Sequence, residues 1–473
     1  MDRKSKNFNV IHFVGIGGSG MSGIAEVLHN LGFIVQGSDL SLTDTTKRLS
    51  KLGIKIFRGH KKENIINAEL LVASSAVPRN NIEIKEAKKI KIPIMKRAEM
   101  LAELMRFRFG IAISGTHGKT TTTSLIANML AEGNLDPTFV IGGKLHGTNT
   151  NARLGLGKFL VAEADESDTS FLHLQPKIAV VTNIDNDHLD SYENSIEKLK
   201  LGFIDFIHNL PFDGMAVMCI DDENVRSILN KINRRVITYG FNQDAEIRVK
   251  EIRREGICTS FKVYRKNKFL LDIKSTLPGS HNIQNTLASI AIGLELDIKE
   301  DIIKKSLNSF SGIDRRFCIT ENIVTENGII NLIDDYAHHP TEIDSTINAI
   351  RDIWPNRRLL TIFQPHRYSR TKDLFDDFVE SLSKVDFLII TEIFSAGEKP
   401  ISGINSKSLT RAVRLSSNLE PIFLNDIQLL PKILKKIIHP KDILLTIGAG
   451  SIGDTSKNLC FSLQVKKPVG LVS

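Results

Sequence analysis

Gly115-Thr116-His117-Gly118-Lys119-Thr120-Thr121 is the stretch of this 473-residue chain whose residue types and spacing carry chemistry most directly. It follows an apolar run that starts at Phe109 and leads into a helical pattern through Leu130. A backbone that turns at Gly115 and Gly118 aims several N–H groups at one point, and a helix starting there adds partial positive charge. Lys119 adds a full charge, and the hydroxyl of Thr120 or Thr121 is a ligand for Mg²⁺. Strand, glycine turn, lysine and helix in this order form a cradle for the phosphates of a nucleoside triphosphate. A simple helix cap needs one threonine and no lysine. The usual phosphate-loop pattern has a further glycine where this chain has Ile113, so only the short form is present.

A second glycine turn, Gly15-Ile16-Gly17-Gly18-Ser19-Gly20, follows the apolar run Val10 to Val14, and the next run, Phe33 to Gly37, ends at Ser38-Asp39. This is a dinucleotide-type fingerprint with its acidic residue, and taken alone it predicts NAD. Physically it says less: a diphosphate sits at Gly15, Gly17, Gly18, Ser19 and Gly20, and Asp39 is placed to accept from a hydroxyl or a base. Ser74 and Ser75 follow the run Leu70 to Ala73, at the edge where open α/β sheets bind ligands; turn and cap chemistry accounts for them equally well.

Acids crowd the end of another run: Phe159 to Ala162 leads into Glu163-Ala164-Asp165-Glu166-Ser167-Asp168, where a Mg²⁺ ligand belongs beside a phosphate loop. Ile178 to Val181 leads into Thr182-Asn183-Ile184-Asp185-Asn186-Asp187-His188, although histidine is an unusual ligand for so hard a cation. His281 and Asn285 share a face of a later helix that also carries Asn282. Ile329 to Ile333 ends in Asp334-Asp335-Tyr336-Ala337-His338-His339, and Leu359 to Phe363 in Gln364-Pro365-His366-Arg367-Tyr368-Ser369-Arg370. Phe387 to Ile390 ends in Thr391-Glu392, and Asp442 to Ile447 in Gly448-Ala449-Gly450-Ser451.

Short apolar runs, each stopping in polar or glycine-rich residues and followed by a helical pattern, predict βα units and mainly parallel sheets with functional residues along one edge. The fold class expected is therefore α/β. Arg97 to Met105 reads as a helix leading into the next domain. Ser195 to Leu210 reads as an amphipathic helix with Ile196, Leu199, Phe203, Phe206 and Ile207 on one stripe, and Glu246 to Ile273 as β-rich. A third domain is expected near Gly312, with four strands in its sheet. Cys219, Cys258, Cys318 and Cys460 are scattered without paired spacing, which argues against a disulfide framework or a zinc site. No run approaches the roughly 18 apolar residues of a membrane span, and the first apolar run is too short for a signal peptide. A cytoplasmic protein with no membrane partner is expected. The net charge of +8 is spread without a block of like charges, which fits anionic small substrates and gives no nucleic-acid partner.

The ordered series HFVGIGGSGMSGIAEVL, GTHGKTTTT, EADESD, TNIDNDHLD, HNIQN, RRF, DDYAHHP and FQPHRYSR resembles the Mur ligases of bacterial peptidoglycan synthesis, most closely their alanine-adding branch. The resemblance covers nearly the whole chain. It implies three domains, each on an open, mainly parallel sheet: a Rossmann-like domain for UDP-N-acetylmuramate (1–107), a P-loop ATP-binding centre (108–312), and a Rossmann-like domain that closes and brings the amino acid (313–473). It implies an ATP-dependent, amide-forming ligase using ATP and Mg²⁺, with UDP-N-acetylmuramate and L-alanine as substrates, working as a monomer or weak dimer. On its terms Gly15 to Gly20 hold the diphosphate of the sugar nucleotide rather than NAD, and Asp39 lies near the uridine end. Lys119 and Thr120 bind phosphates and Mg²⁺, with Glu166 and His188 as further metal ligands. Asn282 and Asn285 belong to the adenine-binding helix, Arg315 contacts phosphate, and Asp335 lies near the ATP ribose. His338, Arg367 and Arg370 face the substrate carboxylate and the incoming alanine, and His188 or His338 is the general base. Sister ligases place a carbamoylated lysine where this chain has Phe203, so none is expected. The alternatives are a sister ligase attaching a recycled tripeptide to the same sugar and, more distantly, an NAD-dependent oxidoreductase.

Overall fold

The structure, a computed structural model, describes residues 9–74, 76–78, 80–143, 151–187 and 189–464. Ser75 and His188 lie outside the described residues, as does the side chain of Ser19. The chain divides into two compact units: Met1–Arg253 with Ser260–Ser275 and Asn282–Ser311, and Arg254–Thr259 with Thr276–His281 and Gly312–Ser473.

The first unit begins with a five-stranded sheet of β1 (Val10–Val14), β2 (Ile34–Asp39), β3 (Lys55–Arg58), β4 (Leu70–Ala73) and β5 (Ile94–Lys96), in the order β3-β2-β1-β4-β5. All its pairings are parallel. The chain leaves β1 in one direction to build β2 and β3 and in the other to build β4 and β5, so the strand order reverses between β1 and β4. That switch point is where the carboxyl ends of an open sheet leave a crevice. Along β1, Ile11 and Phe13 enter one apolar cluster while Val14 enters another, so both faces are covered. A strand buried on both faces is mostly apolar, and the one polar residue of β1, His12, is buried beside Glu83 at 3.3 Å.

The second sheet of this unit contains β6 (Phe109–Ser114), β7 (Thr138–Val140), β8 (Ala152–Arg153), β9 (Phe159–Glu163), β10 (Ile178–Val181), β11 (Met215–Cys219), β12 (Arg235–Gly240), β13 (Ile247–Glu255), β14 (Cys258–Arg265) and β15 (Lys268–Ser275). Their order is β15-β14-β13-β12-β11-β10-β6-β9-β7-β8. β6 lies between β9 and β10 and is parallel to both. The phosphate loop after β6 is therefore flanked by the acidic segment after β9 and the polar segment after β10. The helix Ile196–His208 lays its apolar stripe on this core: Phe203 is fully buried and meets Phe171 edge-on at 5.3 Å. Lys198 and Lys200 pair instead with Glu193 and Glu197.

The second unit carries β16 (Cys318–Thr325), β17 (Gly328–Asp335), β18 (Leu359–Phe363), β19 (Phe387–Thr391), β20 (Ile422–Leu424) and β21 (Ile443–Ile447), ordered β16-β17-β21-β18-β19-β20. The four strands expected here are present as β17, β18, β19 and β21, but the sheet has six. β16 runs antiparallel to β17 with a register shift between Thr320 and Ile323, and β20 extends the parallel part. Side chains of β21 alternate cleanly: Ile443, Leu445 and Ile447 belong to one core and Leu444 to the other. Among the described residues no helix is long and apolar enough to cross a membrane, and none of the four cysteines is in a disulfide.

Candidate active site

Gly115 adopts φ +123° and Gly118, at the N-cap of the helix Lys119–Glu132, adopts φ +83°. A Cβ on Gly115 would lie 2.1 Å from Thr182 Oγ1, and one on Gly118 2.6 Å from Asn285 Oδ1, so both backbone angle and space demand glycine. The loop between them is clamped to the segment after β10. Thr116 N donates to Asn183 O (3.2 Å) and His117 N to Asn183 Oδ1 (2.8 Å). Thr182 Oγ1 and Asn183 Nδ2 donate to His117 O (2.6 and 3.1 Å), and Asp185 N donates to Thr116 Oγ1 (2.9 Å). The imidazole of His117 lies 3.0 Å from an Asp185 carboxylate oxygen.

Lys119 folds its ammonium back over this loop. Nζ donates to Gly115 O (2.5 Å), Thr116 O (3.1 Å) and both oxygens of Glu166 (2.9 Å each). Burial works to lower the lysine pKa, but the carboxylates of Glu166, Asp165 and Glu163 outweigh it and keep the ammonium charged. Burial pushes the Glu166 carboxyl up to about 7, against the pull of Lys119. Thr120 and Thr121 are buried on the first turn, Thr122 Oγ1 donates to Asn285 Oδ1 (3.1 Å), and Asn285 Nδ2 donates to Asn282 Oδ1 (3.1 Å). Lys119, Glu166, Asn282 and Asn285 thus converge on one loop from three separate parts of the chain.

The first glycine turn lies at the switch point of the five-stranded sheet. Gly15 N and Ile16 N donate to Ser38 O (2.9 and 3.1 Å), and Gly17 N donates to Asp39 Oδ2 (2.8 Å). Asp39 therefore sits on the turn itself. Gly18 is the N-cap of the helix Ser19–Asn30 and carries no capping side chain. Ser74 follows β4 and lies against Gly15: a Cβ there would lie 3.2 Å from Ser74 Cβ. Ser74 Oγ accepts from Ala76 N at 3.3 Å, which is the turn chemistry that the sequence also allows.

In the second unit, Asp335 ends β17 buried, accepting from Phe317 N (3.0 Å) and Ala337 N (2.8 Å); burial lifts its carboxyl to about 6. Arg315 donates to Asp334 Oδ2 (3.1 Å) and Gly448 O (2.5 Å) and lies over the Tyr336 ring. His338 Nδ1 is 3.0 Å from Tyr336 O; a carbonyl only accepts, so Nδ1 carries the proton and Nε2 the lone pair. Burial takes this imidazole down to about 3. Its ring packs edge-on against His366, whose own pKa falls to about 4 through burial and the charges of Arg370 and Arg367. Arg370 is buried and its Nη1 lies 3.4 Å from His366 Nδ1, whereas Arg367, at φ +72°, is exposed.

Sequence reasoning missed Asn183, Asp185 and His366 as individuals, though each falls inside a polar cluster it marked. It also missed Arg97, whose Nη2 donates to Asp165 Oδ2 at 3.3 Å; in the run Lys96-Arg97-Ala98-Glu99 nothing distinguishes it from other basic residues.

Three family models match the chain: Mur ligase family, catalytic domain, over residues 10–109; Mur ligase middle domain over 113–293; and Mur ligase, glutamate ligase domain, over 315–450. Among solved structures, the chain is 29% identical to the UDP-N-acetylmuramate-alanine ligase MurC from Thermotoga maritima, covering 95% of this chain and 97% of that one with a TM-score of 0.81. It is 27% identical to the UDP-N-acetylmuramate:L-alanyl-gamma-D-glutamyl-meso-diaminopimelate ligase from Neisseria meningitides, over 65% of this chain and 100% of that one, with a TM-score of 0.61. The MurF ligase from Thermotoga maritima in complex with ADP shares the fold at 16% identity, over 90% of this chain and 94% of that one, with a TM-score of 0.62.

Proposed function

The chain belongs to the Mur ligase family, and from that premise we propose that it joins the lactyl carboxylate of UDP-N-acetylmuramate to L-alanine, converting ATP to ADP and phosphate. The observation that carries this reading is the Lys119–Glu166 pair at the head of a phosphate loop, on a different sheet from the glycine turn of Gly15 to Gly20. Alanine is favoured as acceptor because the likeness to an alanine ligase, a TM-score of 0.81 at 29% identity, exceeds the likenesses to the peptide-adding ligases, TM-scores of 0.71 at 23% and 0.61 at 27%. Family membership removes the NAD-dependent oxidoreductase. We assign residues 1–107 to the sugar nucleotide, 108–312 to ATP and 313–473 to the amino acid.

A carboxylate resists attack by an amine because oxide is a poor leaving group. In the proposed reaction the lactyl carboxylate attacks the γ-phosphorus of ATP, an O–P bond forms, and the bond to the β-bridging oxygen breaks to release ADP. The neutral amine then attacks the acyl carbon, phosphate leaves with the C–O electron pair, and the ammonium proton passes to a base. Lys119, already fixed at the loop mouth, offsets charge on the transferring group. Asn282 and Asn285 receive the adenine end, and Arg315 and Asp335 are assigned to ATP by the family resemblance. Oxygen donors suit a hard cation, and the Thr120 hydroxyl and Glu166 carboxylate are the residues that would hold Mg²⁺, with His188 as a third ligand. When bound, that ion supplies positive charge against the phosphoryl oxygens. A histidine held down at about 3 is a poor proton acceptor at neutral pH, so His338 is given the task of accepting an N–H of the amine at Nε2. Arg367 and Arg370 meet carboxylates.

The test is ADP release by the purified protein with UDP-N-acetylmuramate and either L-alanine or the intact tripeptide. Release that depends on both the sugar nucleotide and alanine is expected. Release driven by tripeptide and not by alanine transfers the chain to the sister activity.

A further inference from the structure

The turn that carries Arg367 and Arg370 is strained. Arg367 has φ +72° and ψ 141°, a backbone region that residues with a side chain avoid. Such a conformation persists only where its surroundings impose it. In the second unit the segment after β19 imposes it from two sides. Phe394 continues the parallel pairing of β18 and β19 past their ends by bridging to His366. Its N donates to Pro365 O and its O accepts from Arg367 N, each at 2.8 Å. The Phe394 ring lies flat on the His366 imidazole, with centroids 5.5 Å and planes 10° apart. Further along, Glu398 Oε2 accepts from Ser369 N (3.0 Å) and Glu398 Oε1 from Ser369 Oγ (2.7 Å).

A carboxylate beside residues assigned to a carboxylate works against binding unless its own charge is matched. Both oxygens of Glu398 are turned to Ser369. Burial raises the Glu398 pKa, but the bonds from Ser369 and the charge of Arg367 outweigh it and hold the carboxyl below its usual range. A turn closed by Glu398 N donating to Ser395 O (2.9 Å), with Ala396 at φ +48° and Gly397 at φ +89°, brings this carboxylate back to Ser369. Ser369 stands between the two arginines in the helix Tyr368–Asp373, and Thr371 N and Oγ1 donate to Arg367 O (3.2 and 2.7 Å). Holding Ser369 therefore holds the backbone of Arg367 on one side and of Arg370 on the other. We propose that Glu398 is a positioning residue: through Ser369 it keeps the Arg367–Arg370 turn in the shape that receives the carboxylate of the amino-acid acceptor. The inference rests on the ligase reading above and adds to it a residue outside the turn on which acceptor affinity depends. A turn left unheld takes the receiving shape for part of the time only. Apparent affinity falls by that fraction, and a saturating acceptor restores the shape. The effect therefore belongs to the KM for the amino acid rather than to kcat.

Steady-state ADP release by the full-length protein tests this, with L-alanine, ATP and UDP-N-acetylmuramate each varied in turn. Glu398→Ala is expected to raise the KM for L-alanine about tenfold or more, with kcat within about threefold and the other two KM values unchanged. Glu398→Gln removes the charge and keeps both bonds: its amide oxygen accepts from Ser369 N, and its amide N–H donates to Ser369 Oγ, since a hydroxyl serves either way. It is expected to return the KM for L-alanine to within about threefold of wild type. Ser369→Ala, which serves also where alanine at position 398 prevents folding, is expected to raise the same KM. Combined with Glu398→Ala it adds nothing further, because both remove one contact. A KM for L-alanine within about twofold of wild type in Glu398→Ala, or in Ser369→Ala where that variant stands in, overturns the inference. So does a glutamine variant as impaired as the alanine one, which makes charge rather than the bonds the cause. A rise shared by all three substrates with a lowered melting temperature overturns it too, since that is a loss of folding. If the wild-type protein releases no ADP in response to L-alanine, it is the ligase reading that fails, and this inference with it.

Discussion

Gly118 is fixed twice, by a φ of +83° that side chains avoid and by Asn285 Oδ1 lying 2.6 Å from where a Cβ would be. Alanine there costs about 1–3 kcal/mol of backbone strain and pushes Asn285 off Thr122 and Asn282. Gly118→Ala is therefore expected to lower the melting temperature modestly and to cut ADP release by about tenfold or more, because it moves the loop and the adenine-side asparagine together. Activity equal to wild type in a coupled ADP assay would show that Asn285 does not act on the nucleotide. At this scale the sequence is legible where one residue type in one local pattern decides the matter, as at Gly115, Gly118, Lys119 and Thr120. It is not legible where partners meet across the chain: His117 finds Asn183 across 66 positions and Thr122 finds Asn285 across 163. No local spacing encodes either pair. The carboxylate of Glu166 was readable as one of an acidic cluster after an apolar run, but not as the partner of Lys119.

Elements are held by contacts of the same kind, and Glu83 is the clearest case. From the first turn of the helix Ile82–Lys89 its fully buried carboxylate accepts from Asn64 Nδ2 (2.6 Å), Lys61 N (3.1 Å) and Ser38 Oγ (2.5 Å), with His12 Nε2 at 3.3 Å. It ties β1, β2 and the segment after β3 to one helix. Burial alone would raise its pKa, but hydrogen bonds from His12, Ser38 and Asn64 take it down to about 2. A carboxyl lowered on folding contributes stability that is present above its unfolded pKa and lost as pH falls toward the folded value. The loss thus lies between about pH 4.5 and 2. Glu83→Gln, which turns an acceptor into a donor facing donors, is expected to cost about 3–5 kcal/mol at neutral pH and to flatten the acid limb of a urea-unfolding series. An unchanged acid limb in the variant would assign acid sensitivity to other groups. Whole strands were readable where burial on both faces leaves a largely apolar run, as in β6, β10 and β21. β16 was not: Cys318 to Thr325 is an edge strand with Thr320, Glu321 and Asn322 in its middle, and Asn322 at φ +57° breaks its register. Three-residue strands such as β5, β7 and β20 are too short to show a period. Phe203 was readable as part of an apolar stripe, and its place against Phe171 leaves a core contact where sister ligases are expected to have a modified lysine.

At the scale of the molecule, the ordered motifs gave the family and the three sheets, but not that the first two sheets share one compact unit. That sharing depends on contacts such as Arg48 Nη2 to Asn151 Oδ1 (3.1 Å) and Asn151 Nδ2 to Ser22 Oγ (3.2 Å), made by residues with no distinguishing pattern. Sharing a unit does not merge the two glycine turns, and Lys119→Ala tests their independence. In that variant Glu166 loses the cation that holds its pKa down; already at about 7, it takes up a proton at neutral pH rather than remaining a bare buried charge. The fold should therefore survive with a melting temperature close to wild type. ADP release should fall by about 10²–10³ or more, since a preorganised charge at the transferring group is gone and the protonated carboxyl is a poorer metal ligand. UDP-N-acetylmuramate affinity should stay within about twofold, because groups without shared partners act additively. If calorimetry shows sugar-nucleotide affinity falling in step with ADP release while the melting temperature holds, the two turns serve one ligand rather than two. In that event the division of substrates between the sheets is wrong, however well the phosphate loop itself is formed.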